Sequence, residues 1–155
     1  MLELKTAFLC SLEVDLNLGT VVGDTPLGRR VIVDVSGGRV TGPRFSGRVL
    51  PSGGDWLLVG TDGCARIDVR SSMELDDGAV VYAAYGGRLN VPADVARAAF
   101  NRETAETVDL ARYYFRTAPT FETASRKYAC LNTIQAIGVG RLTREGVAYS
   151  LYEVL

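Results

Sequence analysis

The stretch Leu4–Asn17, LKTAFLCSLEVDLN, alternates apolar and polar side chains with a period of two. This alternation predicts a long β-strand that places one face on a core. The core face would carry Leu4, Thr6, Phe8, Cys10, Leu12, Val14 and Leu16. Val31, Val33 and Val35 repeat the pattern in the next segment. The chain is therefore predicted to begin with two paired strands.

Turn-forming residues recur at short intervals beyond these two segments. Glycine and Asp-Gly pairs supply the positive φ that hairpin turns need. They occupy residues 36–38, 42–43, 52–55, 61–63, 76–78, 86–87 and 144–146. Closure of such a sheet is favoured over a sandwich because it removes free strand edges. We predict an all-β fold in one domain over residues 1–155, a closed or nearly closed antiparallel barrel of about eight to ten strands.

One segment interrupts the run of predicted strands. Residues 92–107, PADVARAAFNRETAET, are rich in alanine, and Pro92 suits the first turn of a helix, where its missing N–H is not needed. We predict one short helix within residues 92–107. The later runs, including residues 128–142, are predicted as strands again.

Composition excludes several kinds of site. Lys+Arg number 17 and Asp+Glu 18, so a general electrostatic footprint for nucleic acid is absent. The chain has no histidine, which removes imidazole metal ligands and histidine-based catalysis. Cys10, Cys64 and Cys130 form no CxxC pair and no disulfide framework. We predict no metal, no cofactor and no nucleic-acid partner.

The N-terminal segment lacks the basic region and the uninterrupted apolar region of a signal peptide. No apolar run is long enough to span a bilayer. Three sparse cysteines suit a reducing compartment. We therefore expect a cytoplasmic protein without a membrane partner.

Polar side chains stand at alternate positions inside the later predicted strands. They either face water, as in ordinary half-buried strands, or point inward and line a ligand cavity. On the second interpretation six side chains would converge in the lumen: Asp68, Arg70, Tyr114, Arg116, Tyr128 and Asn132.

Four residues are candidates for catalysis in a chain without histidine. Asp55 lies in a Gly-Gly-Asp-Trp turn, where its carboxylate either faces the barrel mouth or caps the turn. Glu122 is the general-base candidate of the Phe-Glu-Thr stretch, and Tyr114 could donate to a ligand carbonyl. Arg116 could bind an anionic oxygen, or it could pair with Asp68 or Glu122.

Further residues are candidates for ligand binding. Trp56 either stacks on a ligand or anchors the core. Asn132 either orients a ligand or caps a strand end. Cys130 is also a ligand-binding candidate, and it is either a small buried hydrophobe or a nucleophile, although the chain has no imidazole to activate it. The remaining ligand-binding candidates are Asp68, Arg70 and Tyr128.

An ordered set of short motifs resembles a known family over about residues 5–154. The motif residues are Gly37-Gly38-Arg39, Gly42-Pro43, Gly47, LPSGGDW (Leu50–Trp56), Asp68-Val69-Arg70, Asp77-Gly78, YYFRTAPTFET (Tyr113–Thr123) and YACLN (Tyr128–Asn132). They are similar to the β-barrel family catalogued as domain of unknown function thirty-two thirty-seven. The resemblance implies an antiparallel barrel shaped like allene oxide cyclase and the lipocalins. Cys130 stands where the family pattern has tryptophan.

Three functions remain open at this point. The first is a cofactor-free isomerase, cyclase or lyase that acts on a small, partly apolar carbonyl, phenolic or carboxylic compound in the lumen. The second is a binding protein that holds such a compound unchanged. The third is an assembly protein whose apolar barrel faces pair copies into a homodimer or a higher homo-oligomer.

Overall fold

Eight strands follow one another along the chain, and each is antiparallel to the strand before it. The structure, a computed structural model, describes residues 3–155. The strands are β1 (Thr6–Thr25), β2 (Gly28–Thr41), β3 (Ser46–Val59), β4 (Ala65–Leu75), β5 (Val80–Asn90), β6 (Tyr114–Thr123), β7 (Ala136–Leu142) and β8 (Gly146–Val154). β8 pairs with β1, from Thr6 opposite Val154 to Asp15 opposite Gly146, which closes the barrel. The predicted closed antiparallel barrel is confirmed.

The segment between β5 and β6 contains the α-helix that the alanine-rich sequence predicts. This helix, α1 (Ala93–Ala99), is shorter than the predicted range of residues 92–107. It ends because Thr104 Oγ1 donates to the Ala98 carbonyl at 2.8 Å and Asn101 Oδ1 accepts from the Glu103 amide at 2.9 Å. Two short 3₁₀ turns follow it, Ala105–Thr107 and Leu110–Arg112.

The segment Arg126–Thr133 is a 3₁₀ helix and not part of a strand. The prediction of a strand over residues 128–142 is therefore wrong before Ala136. The side-chain alternation of this segment suits a strand, but its conformation depends on a distant contact. Tyr128 donates to Asp77 Oδ2 at 2.8 Å, and Lys127 donates to the same oxygen at 2.7 Å.

The barrel has two different ends. At the closed end, the 3₁₀ helix Arg126–Thr133 packs beside the β4–β5 turn. At the mouth end, Phe100, which directly follows α1, lines a cavity together with Leu16 of β1, Leu57 of β3 and Leu142 of β7. Within residues 3–155, no helix has both the length and the hydropathy needed to cross a bilayer.

A β-bulge in β1 changes which residues face the core. Pairing with β8 shifts between Phe8 and Cys10, so the neighbouring residues Leu9 and Cys10 are both buried. The predicted alternation is correct from Cys10 to Leu16. It is wrong before the bulge, where Leu4, Thr6 and Phe8 are exposed, and Phe8 packs edge-on against Tyr152 on the outer surface.

Candidate functional site

The lumen contains an apolar cavity of about 120 Å³ towards the mouth end. Phe100 lines this cavity although 60% of its surface is exposed, which places it at the rim. Only three lining residues carry a polar side-chain group: Asp55, Tyr85 and Tyr149. A dry cavity with a few converging polar groups is the usual form of a small-molecule site.

A bulge in β3 positions Asp55. The pairing of β3 with β4 shifts between Val49 and Gly53, which accommodates two extra residues on β3. Gly53 has φ +87°, and a Cβ there would collide with the Arg70 carbonyl oxygen, so the bulge requires glycine. Two residues later Asp55 lies opposite Val69, and both side chains line the cavity.

A backbone hydrogen bond holds one oxygen of the Asp55 carboxyl group. Its Oδ1 accepts a hydrogen bond from the Asp68 amide at 2.9 Å. Burial raises the pKa of Asp55 from 3.8 to about 6, although the Asp68 amide acts in the opposite direction. The negative charge of Asp68 adds to the rise, and Arg30 opposes it. Asp55 therefore exchanges a proton close to neutral pH.

Tyr85 and Tyr149 supply the other two polar groups of the cavity. Their rings meet edge to face with centroids 5.6 Å apart, and Phe115 packs in the same way against Tyr149 at 5.3 Å. Burial raises the pKa of both phenols above the usual value of 10, and the negative charge of Asp55 adds to this effect. Both hydroxyl groups therefore remain protonated donors at neutral pH.

Of the ten residues proposed from sequence, Asp55 lines this cavity. The prediction that six polar side chains converge in the lumen is wrong, as their positions show. Asp68 and Arg70 form an ion pair of 2.7 Å on the outer face of β4, with about half of each side chain exposed. The side chains of β4 that face the lumen are those that alternate with Asp68 and Arg70, and they include Ile67 and Val69.

Strand β6 follows the same rule. Tyr114 is 53% exposed, Arg116 and Glu122 are also exposed, and the buried Phe115 faces the lumen between them. Arg116 donates to the Phe115 carbonyl at 2.8 Å and lies 5.0 Å from the centroid of the Tyr114 ring. It forms neither of the ion pairs considered from sequence, with Asp68 or with Glu122.

Trp56 follows Asp55 in β3 and points to the opposite face. It is 37% exposed, and the Arg70 guanidinium lies 5.6 Å from its ring centroid on the outside of the barrel. Trp56 therefore neither lines the cavity nor anchors the core.

The remaining candidates lie at the closed end, away from the cavity. Tyr128 is buried and bound to Asp77, whereas Cys130 is exposed. Asn132 caps the end of β6, because it accepts from the Thr123 amide at 2.7 Å and donates to the Thr123 carbonyl at 3.0 Å. This is the strand-end alternative considered for Asn132.

Sequence reasoning missed Tyr85 and Tyr149. Both alternate with small or aliphatic core residues, Ala83 before Tyr85 and Leu151 after Tyr149. The sequence signal for these two residues was their position on the apolar face of a strand, since a tyrosine there brings its hydroxyl group into the core. Across residues 3–155, no group of three or more Cys, Asp or Glu side chains is arranged to hold a metal ion.

Comparisons with known proteins agree on the architecture. The family model described as "Protein of unknown function (DUF3237)" matches residues 3–154. A UPF0311 protein of Clostridium acetobutylicum is 36% identical over 154 residues, covering 98% of this chain and 95% of the relative.

Two solved structures have the same fold. A conserved protein of unknown function from Rhodopseudomonas palustris is 29% identical, with a TM-score of 0.91 and 100% of both chains covered. A beta-barrel like protein from Acinetobacter baumannii is 31% identical, with a TM-score of 0.84, covering 100% of this chain and 98% of that chain.

Proposed function

The chain belongs to the family described as protein of unknown function (DUF3237), and we propose that it binds a small, largely apolar carbonyl or phenolic compound in its lumen and catalyses a cofactor-free proton transfer on it. The observation that carries this proposal is Asp55, a half-buried carboxyl group that lines an apolar cavity and has a pKa raised to about 6. Such a group is both a competent base and a competent acid near neutral pH.

The two buried phenols have a complementary role in the proposal. A carbonyl oxygen gains negative charge when a neighbouring carbon loses a proton, and neutral hydroxyl donors in a dry site stabilise that charge. Tyr85 and Tyr149 line the same cavity as Asp55 and stay protonated. We assign them to the substrate oxygen and Asp55 to the carbon that loses the proton.

Cavity size limits the substrate. An apolar cavity of about 150 Å³ in a protein core binds benzene, and the cavity here measures about 120 Å³. The proposal is therefore restricted to compounds with about one ring. A negatively charged carboxylate ligand fits less well, because it would be repelled by ionised Asp55.

The proposed step is an isomerisation of a β,γ-unsaturated ketone. Ionised Asp55 takes a proton from the carbon between the carbonyl and the alkene, and the C–H electron pair forms an enolate whose charge rests on oxygen. Protonated Asp55 then returns the proton to the distal alkene carbon. The carbonyl re-forms and the double bond moves into conjugation, so no oxidant, reductant or second substrate is needed.

3-Cyclohexen-1-one tests the reaction and phenol tests binding. We expect the protein to convert the ketone to its conjugated isomer, followed by ultraviolet absorbance, with a rate that rises with pH through about 6 as Asp55 ionises. Asp55→Asn should lose at least about 100-fold in rate and still bind phenol by calorimetry. Asp76→Asn, at the exposed β4–β5 turn away from the cavity, is the matched control and should keep the activity.

Two outcomes decide against catalysis. If wild type converts the ketone no faster than buffer but binds phenol, the protein is a binding protein, an alternative that the nearly all-apolar lining favours. If Asp55→Asn isomerises the ketone as fast as wild type does, the assignment of Asp55 is wrong.

A further inference from the structure

Three arginines lie directly opposite one another on the outer surface of the barrel. Arg66 of β4 is opposite Arg88 of β5, and Arg88 is opposite Arg116 of β6. We call these three residues the arginine row. Like charges in directly opposed positions of neighbouring strands destabilise a sheet. Arg30 of β2 continues the row beyond Leu58, which separates it from Arg66.

Little negative charge compensates the arginine row. Arg66 binds Asp62 at 3.3 Å. Arg88 and Arg116 instead each donate to the carbonyl of the preceding residue at 2.8 Å, and within residues 3–155 neither has an acidic side chain within 4 Å. The barrel uses a different arrangement elsewhere, since Arg48 lies opposite Glu74 and binds it at 2.6 Å. The row is therefore a local excess of positive charge on a chain with net charge −1.

The surface beside the row is flat and carries an exposed aromatic ring. Next to Arg88 and Arg116 on the outer face, the paired positions are Gly86 and Ala118, which present almost no side chain. On the other side Tyr114 is 53% exposed and stacks with Arg116. Arginine and tyrosine are enriched among the residues that contribute most to binding at protein interfaces.

We propose that the arginine row binds an acidic segment of a partner protein. Carboxylates of an extended acidic peptide would neutralise Arg88 and Arg116 and relieve their mutual repulsion. The chain has a net charge of −1 and therefore no general attraction for a long nucleic-acid backbone, whereas a short acidic segment needs only the local positive charge of the row. The row lies outside the barrel wall, so this interaction is separate from the chemistry proposed for the lumen.

A fluorescent octaglutamate peptide tests the proposal by anisotropy at low and high salt. We expect wild type to bind it at low salt and the Arg88→Gln/Arg116→Gln variant to bind at least about tenfold more weakly. The matched control is Arg39→Gln/Arg97→Gln, which removes the same charge from two exposed arginines outside the row. The control should bind within about twofold of wild type, because its row is intact.

A thermal melt provides a second readout that does not depend on the peptide. Removing two opposed charges should raise the melting temperature of Arg88→Gln/Arg116→Gln above that of the control variant. The proposal is overturned if wild type does not bind octaglutamate, or if both double variants lose binding equally. It is also overturned if an oligodeoxythymidylate of equal charge binds more tightly than the peptide, which would indicate a nucleic-acid site.

Discussion

The raised pKa of Asp55 predicts how the stability of the protein changes with pH. Because the folded-state pKa is raised from 3.8 to about 6, protonation favours the native state. This contribution is complete below pH 3.8 and is lost as the pH rises through about 6. Asp55→Asn should therefore be more stable than wild type at pH 8, by roughly 3 kcal/mol.

Urea denaturation of both proteins between pH 4 and pH 8 measures this difference. The two curves of unfolding free energy should converge at low pH and separate as the pH rises. The control Asp76→Asn, at the exposed β4–β5 turn away from the cavity, should keep the loss of stability with rising pH that Asp55 gives to wild type. Parallel curves for Asp55→Asn would mean that the carboxyl group is solvated.

At the residue scale the sequence predicted Asp55 but not its tyrosine neighbours. Asp55 was predicted because the Gly-Gly-Asp-Trp stretch was interpreted as a turn that could present a carboxylate at the barrel mouth. The stretch is instead a bulged part of β3. The sequence analysis took its candidates mainly from the polar face of each predicted strand. Tyr85 and Tyr149 lie on the apolar face, and this is the face that fills the interior of a small barrel. Asp55, Tyr85 and Tyr149 lie on three different strands, and only the closed barrel shows that their polar groups line one cavity.

At the scale of the element, the β3 bulge is predicted to require glycine at position 53. Gly53→Ala places a side chain at positive φ and against the Arg70 carbonyl, which would shift the strand that carries Asp55. Gly63→Ala is the matched control, because Gly63 also has positive φ (+76°) but has open space around it. The control should lose about 1–2 kcal/mol of unfolding free energy, and Gly53→Ala should lose more. Equal losses in urea denaturation would show that the bulge tolerates a side chain.

The 3₁₀ helix at the closed end is predicted to depend on Asp77. Hydrogen bonds from Lys127 and Tyr128 lower the pKa of Asp77 to about 2. Their support is present above pH 3.8 and disappears as the pH falls through about 2. Asp77→Asn at pH 7 should speed hydrogen exchange of the Tyr128 amide, which bonds to Ser125, while the neighbouring substitution Asp76→Asn should not. Unchanged exchange in Asp77→Asn would mean that packing alone holds the segment.

These two elements also show why sequence patterns succeed or fail. Most strands were predictable because alternation and turn residues are local signals. The predicted turns at residues 36–38, 52–55 and 86–87 are wrong, since these glycines lie inside β2, β3 and β5. Residues 128–133 alternate like a strand, yet their conformation depends on Asp77, 51 residues before Tyr128. The bulges in β1 and β3 were also missed, since a shift in pairing depends on the partner strand.

For the whole molecule, closure assigns the two faces of every strand to different roles. The inner face builds an apolar lumen around Asp55, and the outer face carries the arginine row. Because the barrel wall separates them, we expect phenol binding and octaglutamate binding to be independent. Calorimetry with phenol in the presence of saturating peptide should give the same affinity as without it, and a severalfold change would mean that the two faces are coupled.

The central claim is that Asp55 is a half-buried carboxyl group of the lumen that is able to exchange a proton near neutral pH. A carbon-13 NMR titration of its carboxyl signal, assigned by comparison with Asp55→Asn, measures this most directly. We predict a midpoint at about pH 6. A midpoint at the ordinary value of 3.8 would contradict the account, because Asp55 would then be a solvated side chain and not the acid and base of the lumen.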